Sequence, residues 1–139
     1  MLTGLWCIGI KVGDLERELA FHRQMGHEIV LDETYEFNGE TFRVPLVKMG
    51  DKYLSLTERL IYERALGEVR PVGSTHMVYI SSSFESDVAK ALASGAVALG
   101  EVGGTISAGF GERRVAFLRA PGGWIFEIIQ VMRNLVPEV

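Results

Sequence analysis

One carboxylate, Glu127, interrupts the apolar C-terminal stretch VAFLRAPGGWIFEIIQ, residues 115–130. Two runs of strand character flank its Pro-Gly-Gly turn. Strand alternation in WIFEIIQ puts Glu127 on one face with Ile125 and Ile129, and Trp124, Phe126 and Ile128 on the other. Both faces are apolar, as in a sheet with helices outside and a lined cavity inside. A carboxylate on such a face is costly unless a cation, hydrogen bonds or protonation compensates it. The chemistry open to Glu127 is metal ligation, general-base proton transfer, or a plain hydrogen bond at a wet cleft mouth. His76 heads a second apolar strand, THMVYI, with Val78 and Ile80 on its face. An imidazole there can ligate a metal, shuttle a proton, or be a satisfied structural residue.

Other side chains carry weaker signals. Cys7 shares a strand face with Gly9 and Lys11, as a small buried hydrophobe or as a soft ligand suited to Zn²⁺. Ser55 lies in the strand-like KYLSLTE and is a poor ligand for a divalent ion. Arg43, Arg113, Arg114 and Arg119 can meet an acidic substrate, since a guanidinium offers two parallel donors to a carboxylate or phosphate. Arg114, Lys11 and Ser55 are the substrate-binding candidates. His22 and His27 are expected on solvated faces, and Trp6, Tyr53 and Phe117 as cavity or core aromatics. GGTISAGFGERR, residues 103–114, is rich in glycine but no helix start follows it, which excludes a P-loop or dinucleotide motif.

These residues need elements to position them. Leu5–Val12 is expected as a strand, with Asp14 capping a helix over Leu15–Gln24 whose inner face is Leu15, Leu19 and Phe21. Strands are expected at His27–Tyr35, Thr41–Met49 and Lys52–Glu58, with Asn38-Gly39 as a hairpin turn. Arg59–Ser74 has no clear period and is expected as a linker. A strand over Thr75–Ile80 follows, then a helix over Phe84–Ala93 with Val88 and Leu92 inward. Strands at Ala96–Val102, Glu112–Arg119 and Trp124–Gln130 complete the chain, around a glycine-rich loop over Gly103–Gly111. The order β-α-β-β-β thus occurs twice at an offset of about 70 residues, a duplicated unit. The expected organisation is one domain: a module at 4–58, the linker 59–74, a module at 75–131 and a tail 132–139.

Composition sets outer bounds. A net charge of −4 offers no long-range attraction for nucleic acid. No apolar run approaches the roughly 20 residues that span a bilayer, and the first residues resemble a strand leading to a helix more than a signal peptide. A single cysteine excludes an internal disulfide framework and fits a reducing cytoplasm.

Through IKVGDLERELAFHRQMG, THMVYI and RVAFLRAPGGWIFEIIQ, the chain resembles the vicinal oxygen chelate superfamily over nearly its whole length. That group includes glyoxalases, bleomycin-resistance proteins, extradiol dioxygenases and methylmalonyl-CoA epimerases. The resemblance implies an α+β fold in which two tandem βαβββ modules form a curved mixed sheet around a cleft. It also implies a small-molecule ligand and a homodimer. Metal-using members take ligands from the first and last strands of each module. The second module matches with His76 and Glu127, while the first places Cys7 and Ser55 at those positions. A divalent metal held by His76, Glu127 and Cys7 is therefore one expectation. Another is metal-free acid/base catalysis, with Glu127 as base and His76 as acid, in an isomerase, epimerase or lyase acting alpha to a carbonyl. The alternative is a bleomycin-resistance-type protein that sequesters a small molecule.

Overall fold

The computed structural model describes residues 1–138. The first half runs β1 (Leu2–Lys11), α1 (Leu15–Gln24), β2 (Glu28–Leu31), β3 (Thr34–Phe37), β4 (Glu40–Arg43), β5 (Leu46–Met49) and β6 (Lys52–Thr57). A short α2 (Glu63–Leu66) leads to β7 (Gly73–Ser81), α3 (Phe84–Ala93), β8 (Val97–Ala98), β9 (Gly104–Ala108), β10 (Gly111–Arg119) and β11 (Ile125–Asn134). The large sheet has the order β2-β5-β6-β1-β7-β11-β10-β8, with β9 paired to β10.

The duplication is visible in this order. In each half the first strand lies parallel to the last, β1 beside β6 and β7 beside β11. The two halves join inside one chain through the antiparallel pair of β1 and β7. Both helices form where expected. The Asp14 carboxylate caps α1 by accepting from the Arg17 amide at 3.1 Å. Ser83 precedes α3 without a side-chain cap, while Ser81 Oγ accepts from the Ser83 amide and donates to Asp87.

Several strands differ from expectation for local reasons. The expected strands His27–Tyr35 and Thr41–Met49 are each broken, at Asp32-Glu33 and Val44-Pro45. Pro45 has no amide to donate and restricts the residue before it. Arg43 braces the bend with two bonds to Asp32, at 2.9 and 2.8 Å. The outer pieces form the separate hairpin β3–β4. Its Asn38-Gly39 turn has φ of 50° and 77°, the left-handed conformation that a two-residue hairpin demands. The expected strand at Ala96–Val102 shrinks to β8, and the glycine-rich loop contains β9 as an added edge strand. The linker contains α2, and β11 runs into the expected tail as far as Asn134.

Sheet alternation sorts the core into an inner and two outer clusters. Phe84, Val88, Ala116, Leu118, Phe126 and Ile128 pack between α3 and the sheet. Leu15, Leu19, Val47 and Leu56 do the same beneath α1. The inner face carries Cys7, Tyr53, Val78, Val115, Phe117, Ile125 and Ile129. The buried stripe of α1 is Leu15, Leu19 and His22, so Phe21, two residues beyond Leu19, faces out at 49% exposure. Leu92 is exposed as well, and Ala91 packs in its place. His22 is buried, against the expectation of a solvated face, with Nδ1 2.9 Å from His27 Nδ1. His27 is half-buried.

Two predictions arise from this packing. Burial lowers the His22 pKa; Glu18 opposes that shift and His27 adds to it. A histidine with a depressed folded pKa contributes full stability above its unfolded pKa, and that contribution falls as pH drops through this value. Urea midpoints compared between pH 7 and pH 5 should fall in the wild type and fall less in His22→Gln. The second concerns the seam, where Gly9 pairs with His76. A Cβ on Gly9 would lie within 3.0 Å of Cε1, Nδ1 and Nε2 of that ring. Gly9→Ala should cost about 1–3 kcal/mol in urea unfolding and shift the His76 Cε1–H NMR signal. An unmoved signal would show that the ring does not depend on that gap.

Candidate functional site

The inner face of the sheet encloses a cavity whose walls include Trp6, Tyr35, Phe110, Phe117, Ile129 and Val78. About 70 Å³ of it is open to the centres of water molecules, several times what one water needs. A register shift in β1 between Leu5 and Cys7 lets the adjacent Trp6 and Cys7 both reach this wall. The strap after β6 supplies Arg59, Leu60, Ile61 and Tyr62, and the bent hairpin supplies Tyr35.

His76 and Glu127 meet in this wall, with Nε2 3.6 Å from Oε2 and side chains only 9% and 10% exposed. They come from neighbouring parallel strands, where His76 pairs with Ile125 and Val78 with Glu127. Tyr62 stands perpendicular to the imidazole at 5.2 Å, and Phe117 packs at 5.9 Å. Thr75 Oγ1 donates to the Gly9 carbonyl at 3.0 Å and also lies 3.0 Å from His76 Nδ1. The Thr75 hydroxyl thus links the Gly9 carbonyl to the imidazole. Nε2 is the atom turned to Glu127. At 3.6 Å the two do not hydrogen-bond directly. A ligand atom placed between them can lose a proton to one and gain a proton from the other.

The first module places Cys7 and Ser55 at the equivalent positions. Cys7 pairs with Tyr53 and Gly9 with Ser55, the same register as His76 with Ile125 and Val78 with Glu127. Both line the cavity, but their chemistry differs from that of the second module. Cys7 is fully buried, and burial pushes its thiol up to about 12; a hydrogen bond with Ser55 opposes the rise and the Glu127 carboxylate adds to it. Among the described residues no group of three or more His, Cys, Asp or Glu is arranged to hold a metal ion. The expected ligands His76, Glu127 and Cys7 are thus not gathered into such a group, although all three line the cavity.

The remaining candidates are dispersed. Lys11 is buried in an ion pair with Glu63 and does not line the cavity. Arg114 points to the opposite face, pairing with Glu85 and stacking 4.6 Å over Phe84. Arg43 is occupied by Asp32 and Glu16, and Arg119 lies 3.6 Å from Glu68. Trp6 and Phe117 line the cavity. Tyr53 belongs to the core, its hydroxyl donating to the Pro137 carbonyl at 2.7 Å. The glycine-rich segment does border the cavity, through Ile106 and Phe110.

Sequence reasoning missed Tyr62 and Tyr35 as cavity residues, and named Arg113 only as one of four arginines able to meet an acidic substrate. In ERRVAFLR, alternation puts Arg113 on the face of Val115 and Phe117 and Arg114 on the other, without marking which face borders the cavity. Tyr62 lay in a segment without periodicity. Burial raises the pKa of Tyr62, which a hydrogen bond to Thr75 opposes. Burial also raises that of Tyr35, with the Glu127 carboxylate adding to it. Both phenols therefore keep their protons at neutral pH.

No protein-family model matches this sequence, and no curated protein matches it. Solved structures do. Methylmalonyl-CoA epimerase from Streptomyces coelicolor aligns with a TM-score of 0.75 at 23% identity, covering 96% of this chain and 100% of that one. Methylmalonyl-CoA epimerase from Mycobacterium tuberculosis aligns with a TM-score of 0.67 at 19% identity, covering 93% and 88%. A catechol 2,3-dioxygenase aligns with a TM-score of 0.57 at 14% identity, and there this chain covers only 41% of the other. At these identities the likeness is one of fold. Together with the duplicated sheet order, it shows that this chain has the fold of the vicinal oxygen chelate superfamily.

Proposed function

We propose that this chain is an enzyme that moves a proton on a carbon next to a carbonyl group, as an isomerase, epimerase or lyase of a small molecule. The observation that carries the proposal is the His76–Glu127 pair, set in the wall of an enclosed and mainly apolar cavity. The Glu127 carboxylate removes the α-proton, and the electron pair of the broken C–H bond moves onto the carbonyl oxygen as an enolate. A hydrogen-bond donor beside that oxygen, the His76 imidazole or the Tyr62 phenol, stabilises the charge. Return of a proton to the carbon gives the epimer or isomer, and loss of a leaving group from the next carbon gives elimination. Apolar walls favour this step, because excluding water strengthens each interaction with the developing charge. The solved methylmalonyl-CoA epimerases that share the fold support the proton-transfer class.

Deuterium exchange from solvent into the α-position of a panel of carbonyl metabolites, followed by mass spectrometry, tests the proposal. Wild type should exchange at least one compound, and Glu127→Gln should exchange it about 10²–10⁴-fold more slowly. Absence of exchange with every compound, while planar aromatic molecules raise the melting temperature, would favour sequestration instead. The aromatic walls formed by Trp6, Tyr35, Phe110 and Phe117 support that alternative.

A homodimer belongs to the same proposal, by resemblance to the superfamily. Light scattering after size exclusion should report twice the 15.4 kDa chain mass; the mass of one chain would overturn it. A cytoplasmic location is proposed with it, resting on the single cysteine. Among the described residues no helix is long and apolar enough to cross a membrane.

A further inference from the structure

Arg113 is 2% exposed although it carries a charge, and it lines the cavity that holds Glu127. Its Nη1 donates to the Arg133 carbonyl at 2.6 Å and to the Glu112 carbonyl at 3.3 Å. Its Nη2 donates to Asn134 Oδ1 at 2.8 Å. All three acceptors are neutral. They occupy three of the five N–H donors of a guanidinium, and the buried Nε has no partner. Among the described residues no carboxylate forms an ion pair with Arg113.

Buried charges are ordinarily paired, and leaving one uncompensated is costly. Here two aromatic rings hold the group in place, with the guanidinium carbon 5.1 Å from the Trp6 ring and 5.2 Å from the Phe110 ring. Such contacts position a cation without neutralising it. Burial accordingly holds the Arg113 pKa below its usual value, with the Tyr53 phenol opposing that shift. The arrangement is a buried cation with an unpaired donor, on a residue that borders the cavity.

The position of Glu127 supplies the second half of the argument. On β10, Arg113, Val115 and Phe117 share the inner face, and Phe117 pairs with Glu127 in register. Four residues of strand place the Arg113 backbone about 13 Å from that pair. The two charges are not partners for each other, yet they border one cavity.

We infer that Arg113 is the anion-binding group of this cavity and that the ligand is a small organic acid. Its carboxylate occupies the free donors of Arg113, and its carbonyl-bearing carbon is directed towards His76 and Glu127. The second part rests on the proposed proton-transfer function. The first does not, because a sequestering protein with this cavity would also select an acid.

Calorimetric titration of the full chain with 2-oxobutyrate, acetoacetate and phenylpyruvate, each beside its methyl ester, tests the inference without any variant. At least one acid should bind, roughly tenfold or more tightly than its ester, since a charge-assisted pair is lost in the ester. Arg113→Met should abolish the preference for acid over ester, and Arg113→Lys should retain part of it. Binding of the esters as tightly as the acids, binding of no acid at millimolar concentration, or a preference that survives Arg113→Met in a folded protein would overturn it. Acid preference without any α-deuterium exchange would leave the Arg113 site standing and remove the proton-transfer function.

Discussion

The antiparallel seam between β1 and β7 is the constraint on which the rest of the molecule depends. Each module of four main strands leaves one sheet face without a partner. Joining the first strands of both modules edge to edge makes one continuous sheet, and its curvature turns the two uncovered faces towards each other. The last strands, β6 and β11, then lie directly beside the seam. Residues from the first and last strands of both modules therefore line one cavity. Gly9 contributes at the seam itself, because His76 lies opposite it and the imidazole occupies the space that a Cβ would fill.

The cavity concentrates polar groups that a core would ordinarily exclude. Glu127, His76 and Arg113 are all largely removed from water, surrounded by aromatic and aliphatic side chains. The apolar environment that keeps the Cys7 thiol and the Tyr35 phenol protonated also magnifies each interaction with a bound ligand. The two modules differ at equivalent register positions. One has an imidazole and a carboxylate, while the other has a protonated thiol and a hydroxyl. The symmetric scaffold thus supports an asymmetric site.

Local signals were legible where they were strong. The capping carboxylate of Asp14, the Asn38-Gly39 turn and both long helices were readable from residue type and period alone. Glu127 and His76 were readable because a titratable group on an apolar strand face demands a reason. The break at Val44-Pro45 has a local cause in Pro45 that a single strand over Thr41–Met49 passes over, whereas the edge strand β9 and the placement of α2 depend on what packs against them. His22 illustrates the limit. Its buried position depends on helix rotation and on His27 across the turn, and its own residue type argued for solvent.

Residue type and period alone carry the duplicated order of elements, the alternation of each strand and the identity of the residues at equivalent positions in the two modules. Only the tertiary structure decided which charges share the cavity. Arg113 and Arg114 are neighbours of the same residue type, and strand alternation sends them to opposite faces without saying which face encloses a cavity. Lys11 could be assigned to a face, but not to Glu63, which arrives from 52 residues further along the chain. Pairings of that kind are set by chain closure and packing, and local sequence does not encode them.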